Sequence, residues 1–352
     1  MTDGWSDGYA ANVKKTKPYI GAMMQKNDHR MVLFFDVKVE TYASMGRHGR
    51  LSGLKTLPID KLFHLVDKMR AVDLLAHPNR SRTELLYLAD LKLDATRGDL
   101  TLLINRSDKA ASDYVLSNPE RAQRRVIAKR MGEGADFSAH LVIKLKAAKP
   151  NTYSAALEVS PGLPSSKINR FLNHLLRMCD LAYPDEFYRP HPDGSTDKDG
   201  NPRQVKARHK LELRGHPSDS FLRDLEAGMI ERIELIDGRH KNNPWDSNGY
   251  ILEQSREIYL KPKAKQIPGK IYDVVKSVCG EAHKKHYDVM RIKFKTSTGV
   301  DRKVELETDT ARVADDERYI KKETIRNFPA PLPASFETIS SDIYDRMRVL
   351  LR

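Results

Sequence analysis

Apolar positions along this chain change period several times, and each change predicts an element. Met31-Val-Leu-Phe-Phe-Asp-Val-Lys-Val-Glu40 opens as a continuous apolar run and ends in alternation, the signature of a strand entering a core. Leu62, Leu65 and Val66 recur at helical spacing behind Pro58, so Ile59 to Val72 reads as an amphipathic helix. Strands are predicted at Glu84–Leu93 and Leu100–Ile104, joined by a turn around Arg97-Gly98. A polar helical segment follows at 108–131, then a strand at Ala139–Lys146, where Leu141, Ile143 and Leu145 alternate with polar neighbours. Beyond the Ser160-Pro161-Gly162 break, Ile168, Phe171, Leu172, Leu175 and Leu176 trace another amphipathic helix.

The stretch from Asp185 to Gln204 is polar and rich in Pro, Gly and Asp, and reads as a linker or long exposed loop. It divides the chain into an irregular N-terminus (1–30), an N-terminal α+β domain (31–184) and a C-terminal basic α+β domain (205–352). In the latter the pattern predicts strand 205–214, helix 218–227, strands 229–237 and 249–261, helix 269–279, and strands 288–296 and 302–308. The first six suggest a split βαβ (ferredoxin-like) sheet with an added hairpin. A helix at 339–351, with Ile339, Ile343, Met347 and Leu350 on one side, closes the chain. The fold class expected is α+β in two domains.

Charge sharpens this picture. The chain has 352 residues and a formal net charge of +13, which points to a polyanionic partner, nucleic acid or an anionic membrane surface. Residues 260–303 carry twelve Lys/Arg against four acids, whereas the whole stretch from 205 onward has 29 basic and 24 acidic residues. One segment thus concentrates the positive charge. Met1 to Ile20 is polar and does not read as a signal peptide, and the apolar run Met31–Phe35 is too short to span a bilayer. Cys179 and Cys279 sit in apolar helical patterns outside any CxxC, which fits buried thiols in a reducing, cytoplasmic setting.

Three clusters are candidate nucleic-acid contacts. Arg291, Lys293 and Lys295 alternate with Met290, Ile292 and Phe294, so three cations share one strand face, with Arg302 on the partner strand; ion pairs with Glu305 and Glu307 would explain the same pattern. Lys261, Lys263 and Lys265 leave a strand without acidic neighbours and lead to a helix N-terminus at Lys270, where amides and the helix dipole favour phosphate. Arg121, Arg125 and Lys129 recur at i, i+4 and i+8, a basic stripe if 108–131 is helical. Enzymatic signals are thinner. No Walker A, GxGxxG, HExxH or GxSxG sequence occurs. Asp36-x-Lys38-x-Glu40 and Asp90-x-Lys92-x-Asp94 have the residue types of a Mg²⁺-dependent nuclease, although a solvent-facing strand reads the same way. Cys279, His283, His286 and Asp288 would need a fixed geometry to bind zinc. No catalytic residue, metal or cofactor is assigned.

The order of a strand at Leu100–Ile104, a polar helix, Gly134–Ile143, and a strand and helix over Tyr153–Leu176 resembles the RexA family of phage exclusion proteins. The Ile258-Tyr-Leu-Lys-Pro-Lys-Ala-Lys265 strand end is its closest local match. The likeness spans about 100–300; residues 1–80 and the 185–204 insertion have no counterpart. It implies a cytoplasmic homodimer of prophage origin that binds double-stranded DNA with little sequence preference and signals to a separate membrane effector, with Lys261, Lys263 and Lys265 at the duplex. The function expected is therefore non-enzymatic DNA binding by a sensor in anti-phage defence. A Mg²⁺-dependent nuclease and an RNA-binding protein are the alternatives.

Overall fold

The computed structural model describes residues 27–45, 50–237, 244–248, 250–253, 255–263, 270–314 and 316–351. Of the N-terminal segment expected to be irregular, residues 1–26 lie outside these, and His29 and Arg30 already belong to the first strand.

The first half of the chain contains β1 (His29–Ser44), β2 (Arg50–Leu51), α1 (Ile59–Arg70), β3 (Ala76–Pro78), β4 (Glu84–Asp94), β5 (Asp99–Asp108), β6 (Tyr114–Asn118), β7 (Gln123–Ile127), β8 (Ala135–Lys149), β9 (Thr152–Glu158) and α2 (Ser165–Ala182). The second half adds β10 (Tyr188–Pro190), β11 (Gln204–Gly215), α3 (Asp219–Ala227), β12 (Met229–Asp237), β13 (Arg256–Leu260), α4 (Ile271–Lys284), β14 (Val289–Lys295), β15 (Asp301–Glu307), β16 (Lys322–Arg326) and α5 (Ser341–Leu350). The fold is mixed α+β, with strands predominating.

A large antiparallel sheet runs β10-β11-β1-β9-β8-β5-β4-β3, with β2 and β16 also paired to β1. Leu33, Phe35, Val37 and Val39 of β1 alternate toward one face of it, where α1 and α2 bury Leu62, Phe63, Ile168, Phe171, Leu172 and Leu175. The opposite face carries Val32, Val142 and Ala156, covered by Ile343, Tyr344 and Met347 of α5. The helical periods read from the sequence are thus the buried stripes of α1, α2 and α5.

One expectation about the second half is corrected. β11 does not join the second sheet: Phe35 to Ala43 of β1 pair with Gly215 to Ala207 of β11. The second sheet is four antiparallel strands in the order β13-β12-β14-β15, so the split βαβ arrangement is not formed. The reason is the length of β1, whose buried backbone needs hydrogen-bond partners along both edges; β11 and β16 supply one edge and β9 the other. Of the 185–204 stretch, expected as a linker or long exposed loop, residues 191–203 form the largely exposed connection of one hairpin of the large sheet, where Pro190 pairs with Gln204. Phe187 of the same stretch is fully buried and meets the His209 ring edge-on at 5.5 Å.

Candidate nucleic-acid interface

The basic hairpin of the four-stranded sheet is β14–β15. Met290, Ile292 and Phe294 are buried, and Arg291, Lys293 and Lys295 point to the other face, as alternation predicts. That face is neutralised. Arg291 meets Glu234 and Glu305, each at 2.9 Å, Lys293 meets Glu234 at 2.7 Å, and Lys295 meets Glu231 at 3.1 Å. Burial acts to raise the Glu234 carboxyl, but hydrogen bonds from Lys293 and Arg291 outweigh it and hold the group down to about 2. Glu231 and Glu234 belong to β12, whose place beside β14 the sequence pattern does not reveal. Arg302 pairs with Phe294 and so lies on the inner face, opposite the other three cations.

Lys261 and Lys263 follow β13, are exposed, and have no ion-pair partner among the described residues. Lys265 lies outside the described residues. Lys270 is the exposed N-cap of α4. Lys261, Lys263 and Lys270 remain available, but nothing among the described residues organises them into a defined surface.

The third cluster changes most. Residues 114–127 form a two-stranded ribbon, β6–β7, rather than a helix, so Arg121, Arg125 and Lys129 do not share a helix face. The sequence carries a signal for this: Tyr114-Val115 and Val126-Ile127 are strand formers, and Asn118-Pro119 marks the turn between them. Asn118 Oδ1 accepts from the Arg121 amide at 3.3 Å, and Ala122 turns the chain with φ 47°. Among the described residues the ribbon pairs with no other strand, and every residue of β6 and β7 is exposed. On one face Tyr114 opposes Ile127 and Leu116 opposes Arg125; on the other Val115 opposes Val126 and Ser117 opposes Arg124. Each face is apolar at its base and basic toward the tip. Arg121, Arg124 and Arg125 have no carboxylate partner among the described residues. Lys129 is used differently: its Nζ donates to Lys109 O at 2.9 Å and to Ala111 O, and its amide donates to Asp113 Oδ1 at 3.1 Å. It ties the ribbon to the sheet and is not free for a phosphate.

The carboxylates with nuclease-like spacing are separated and engaged. β9, β8 and β5 lie between β1 and β4, so four strand spacings, roughly 19 Å across the sheet, separate the strand of Asp36 from that of Asp90. Asp36 is held by His216 Nε2 at 2.9 Å and Arg312 Nε at 2.8 Å. Asp90 meets Arg70 at 3.2 Å and accepts from the Ile339 amide at 3.0 Å. Lys38 belongs to a half-buried charged seam: it meets Asp309 at 2.8 Å, and Arg214 meets the same carboxylate at 2.6 Å. Beside them Glu307 is pushed up to about 7, first by burial and further by Glu212 and Asp309, against the pull of Arg214. The seam joins β1 and β11 to the end of β15. Cys279 is buried 4.0 Å from Met290 Sδ, and no group of three or more His, Cys, Asp or Glu residues with metal-binding geometry occurs among the described residues. Nor, among them, is any helix long and apolar enough to cross a membrane.

No protein-family model, curated protein or solved structure matches the chain.

Proposed function

We propose that this chain is a non-enzymatic protein that binds double-stranded DNA with little sequence preference and uses the β6–β7 ribbon as its arm. The observation that carries the reading is a fully exposed ribbon with three arginines toward its tip that have no carboxylate partner among the described residues. A major groove admits a two-stranded ribbon, and guanidinium groups bind phosphate bidentately. The tip would rest on the backbone, which positions a protein without encoding sequence. Lys261, Lys263 and Lys270 form a second, weaker set. In the setting implied by the RexA resemblance, such a protein acts as a cytoplasmic, homodimeric sensor of phage DNA and passes its signal to a membrane effector.

Fluorescence anisotropy with a random-sequence duplex over a salt series tests the reading. Wild type should show a steep linear fall of log K with log salt. Arg121/Arg124/Arg125→Ala should flatten the slope by about 2.7, the release expected for three phosphate contacts. Lys261/Lys263/Lys265→Ala should flatten it less. A larger effect from the lysine variant would move the arm to β13, and no binding at low salt would remove the DNA reading.

A further inference from the structure

β13 is an edge strand of the four-stranded sheet, and the turn that precedes it holds a cluster of large apolar side chains in solvent. Trp245 is 70% exposed, Tyr250 85% and Ile251 65%; Leu252 beside them, and Ile258 and Tyr259 of β13, are exposed as well. Soluble proteins seldom gather so many such groups in one place unless a partner covers them.

The turn is built to hold them outward. Pro244 and Leu252 face each other in a β-bridge, and the Trp245 amide donates to Ile251 O at 2.8 Å. Asp246 Oδ1 accepts from the Ile251 amide at 2.7 Å, and its Oδ2 accepts from the Asn248 amide at 3.3 Å. The indole Nε1 of Trp245 donates to Glu253 Oε2 at 3.3 Å, and that buried carboxylate also meets Arg256 at 2.6 Å. These polar groups are bonded within the turn while the apolar side chains face out. An apolar boundary demands this arrangement, because an unsatisfied N–H or C=O is costly there.

Charge and residue type select the partner. Lys261 and Lys263 follow the far end of β13 and are exposed, so apolar groups lie at one end of this edge and cations at the other, about 17 Å away. The net charge of +13 adds attraction toward an anionic surface. Trp and Tyr favour the boundary between lipid headgroups and acyl chains. A nucleic-acid single strand would stack on rings but has no use for Ile251, Leu252 and Ile258. The ring of Tyr259 is moreover already covered by the Arg232 guanidinium, 5.0 Å from its centroid. We propose that this sheet edge docks on an anionic lipid surface, with Trp245, Tyr250, Ile251 and Leu252 entering the headgroup region and Lys261 and Lys263 meeting lipid phosphates. The contact is peripheral and reversible, since four side chains bury far less apolar surface than a spanning helix. It is independent of what the ribbon binds.

Co-sedimentation of the full chain with vesicles tests this, using phosphatidylcholine alone and phosphatidylcholine with about 30 mol% phosphatidylglycerol. The chain has two tryptophans, so a Trp5→Phe background leaves Trp245 as the sole indole reporter. Anionic vesicles should bind the protein and shift Trp245 emission to the blue, and brominated acyl chains should quench it. Ile251→Ser changes an exposed side chain and keeps the Trp245–Glu253 bond, and it should weaken binding about tenfold. Lys261/Lys263→Ala should weaken it about fivefold per lysine, and the neutral vesicles should bind more weakly still. No sedimentation with anionic vesicles at low salt would overturn the proposal. So would binding that leaves Trp245 emission unmoved and ignores Ile251→Ser, because charge attraction alone gives that result. Quenching of Trp245 by oligothymidine, with no shift on vesicles, would overturn it too and assign the aromatic side chains to a nucleic-acid single strand.

Discussion

At the scale of single residues, the charged seam decides how stability depends on pH. Arg214 is shared by Asp309 and Glu212, at 2.6 and 2.7 Å, and stands 3.8 Å from Glu307. Burial raises Asp309 too, but hydrogen bonds from Arg214 and Lys38 outweigh it and hold that carboxyl well below the usual range. Glu307 is left with the desolvation and is pushed up from 4.5 to about 7. A carboxyl that binds its proton more tightly when folded stabilises fully below its unfolded pKa and loses that contribution as pH rises to its folded value. Stability should therefore fall between pH 4.5 and 7, by at most about 3 kcal/mol, because a tenfold difference in proton affinity is worth about 1.36 kcal/mol. Glu307→Gln, neutral throughout, should flatten that limb in urea unfolding measured across the range. An unchanged slope in the variant would show that Glu307 is not the group responsible. Asp309 works in the opposite sense, since its contribution is present above an ordinary aspartate pKa and fades only in acid.

Elements differ in how much of their setting the sequence carries. The stripe on α2 is legible because each of Ile168, Phe171, Leu172, Leu175 and Leu176 needs only the helix period to be assigned to the core. Leu172 is fully buried, and Leu172→Ala should cost about 2–5 kcal/mol in thermal or urea unfolding. The ribbon reads wrongly as a helix because Arg121, Arg125 and Lys129 fit a helical spacing that the chain never adopts, although Asn118-Pro119 breaks it. The neutral face of β14 is invisible for another reason: Glu231 and Glu234 are remote in sequence and arrive only through strand order. A two-stranded ribbon exposed on both faces adds little to global stability. Replacing 114–127 by a short Gly-rich turn should therefore shift Tm by no more than a few degrees and reduce duplex binding to the weaker contribution of Lys261, Lys263 and Lys270. Lys129→Met keeps the tip arginines but removes the tie to Lys109 and Ala111. It should leave the salt slope intact and raise amide exchange across β6 and β7, whereas unchanged exchange would mean that the tie is not what holds the ribbon.

At the scale of the whole molecule, strand order outweighs composition. The stretch 185–204 looks like a boundary because it is polar and broken by Pro and Gly, and local pattern contains nothing about which strands will pair across it. The hydrogen bonds run the other way. β1, near the start, is flanked on one edge by β11 and β16 from the second half, and α5, near the end, covers Val142 of β8 and Ala156 of β9. Residues 27–184 expressed alone would leave β1 without that edge and expose Val32, Val142 and Ala156, while residues 204–352 would leave β11 and β16 without β1. Neither half has a complete core, so neither should give a cooperative unfolding transition by itself. A cut within 191–203 removes no strand pair of the large sheet, since β10 ends at Pro190 and β11 begins at Gln204. Protease nicking in that loop should therefore leave two fragments that elute together in native gel filtration and separate only in denaturant. Two independently folded fragments, each with its own transition, would restore the boundary that the composition suggests. They would also contradict the pairing of β1 with β11, on which the placement of the charged seam depends.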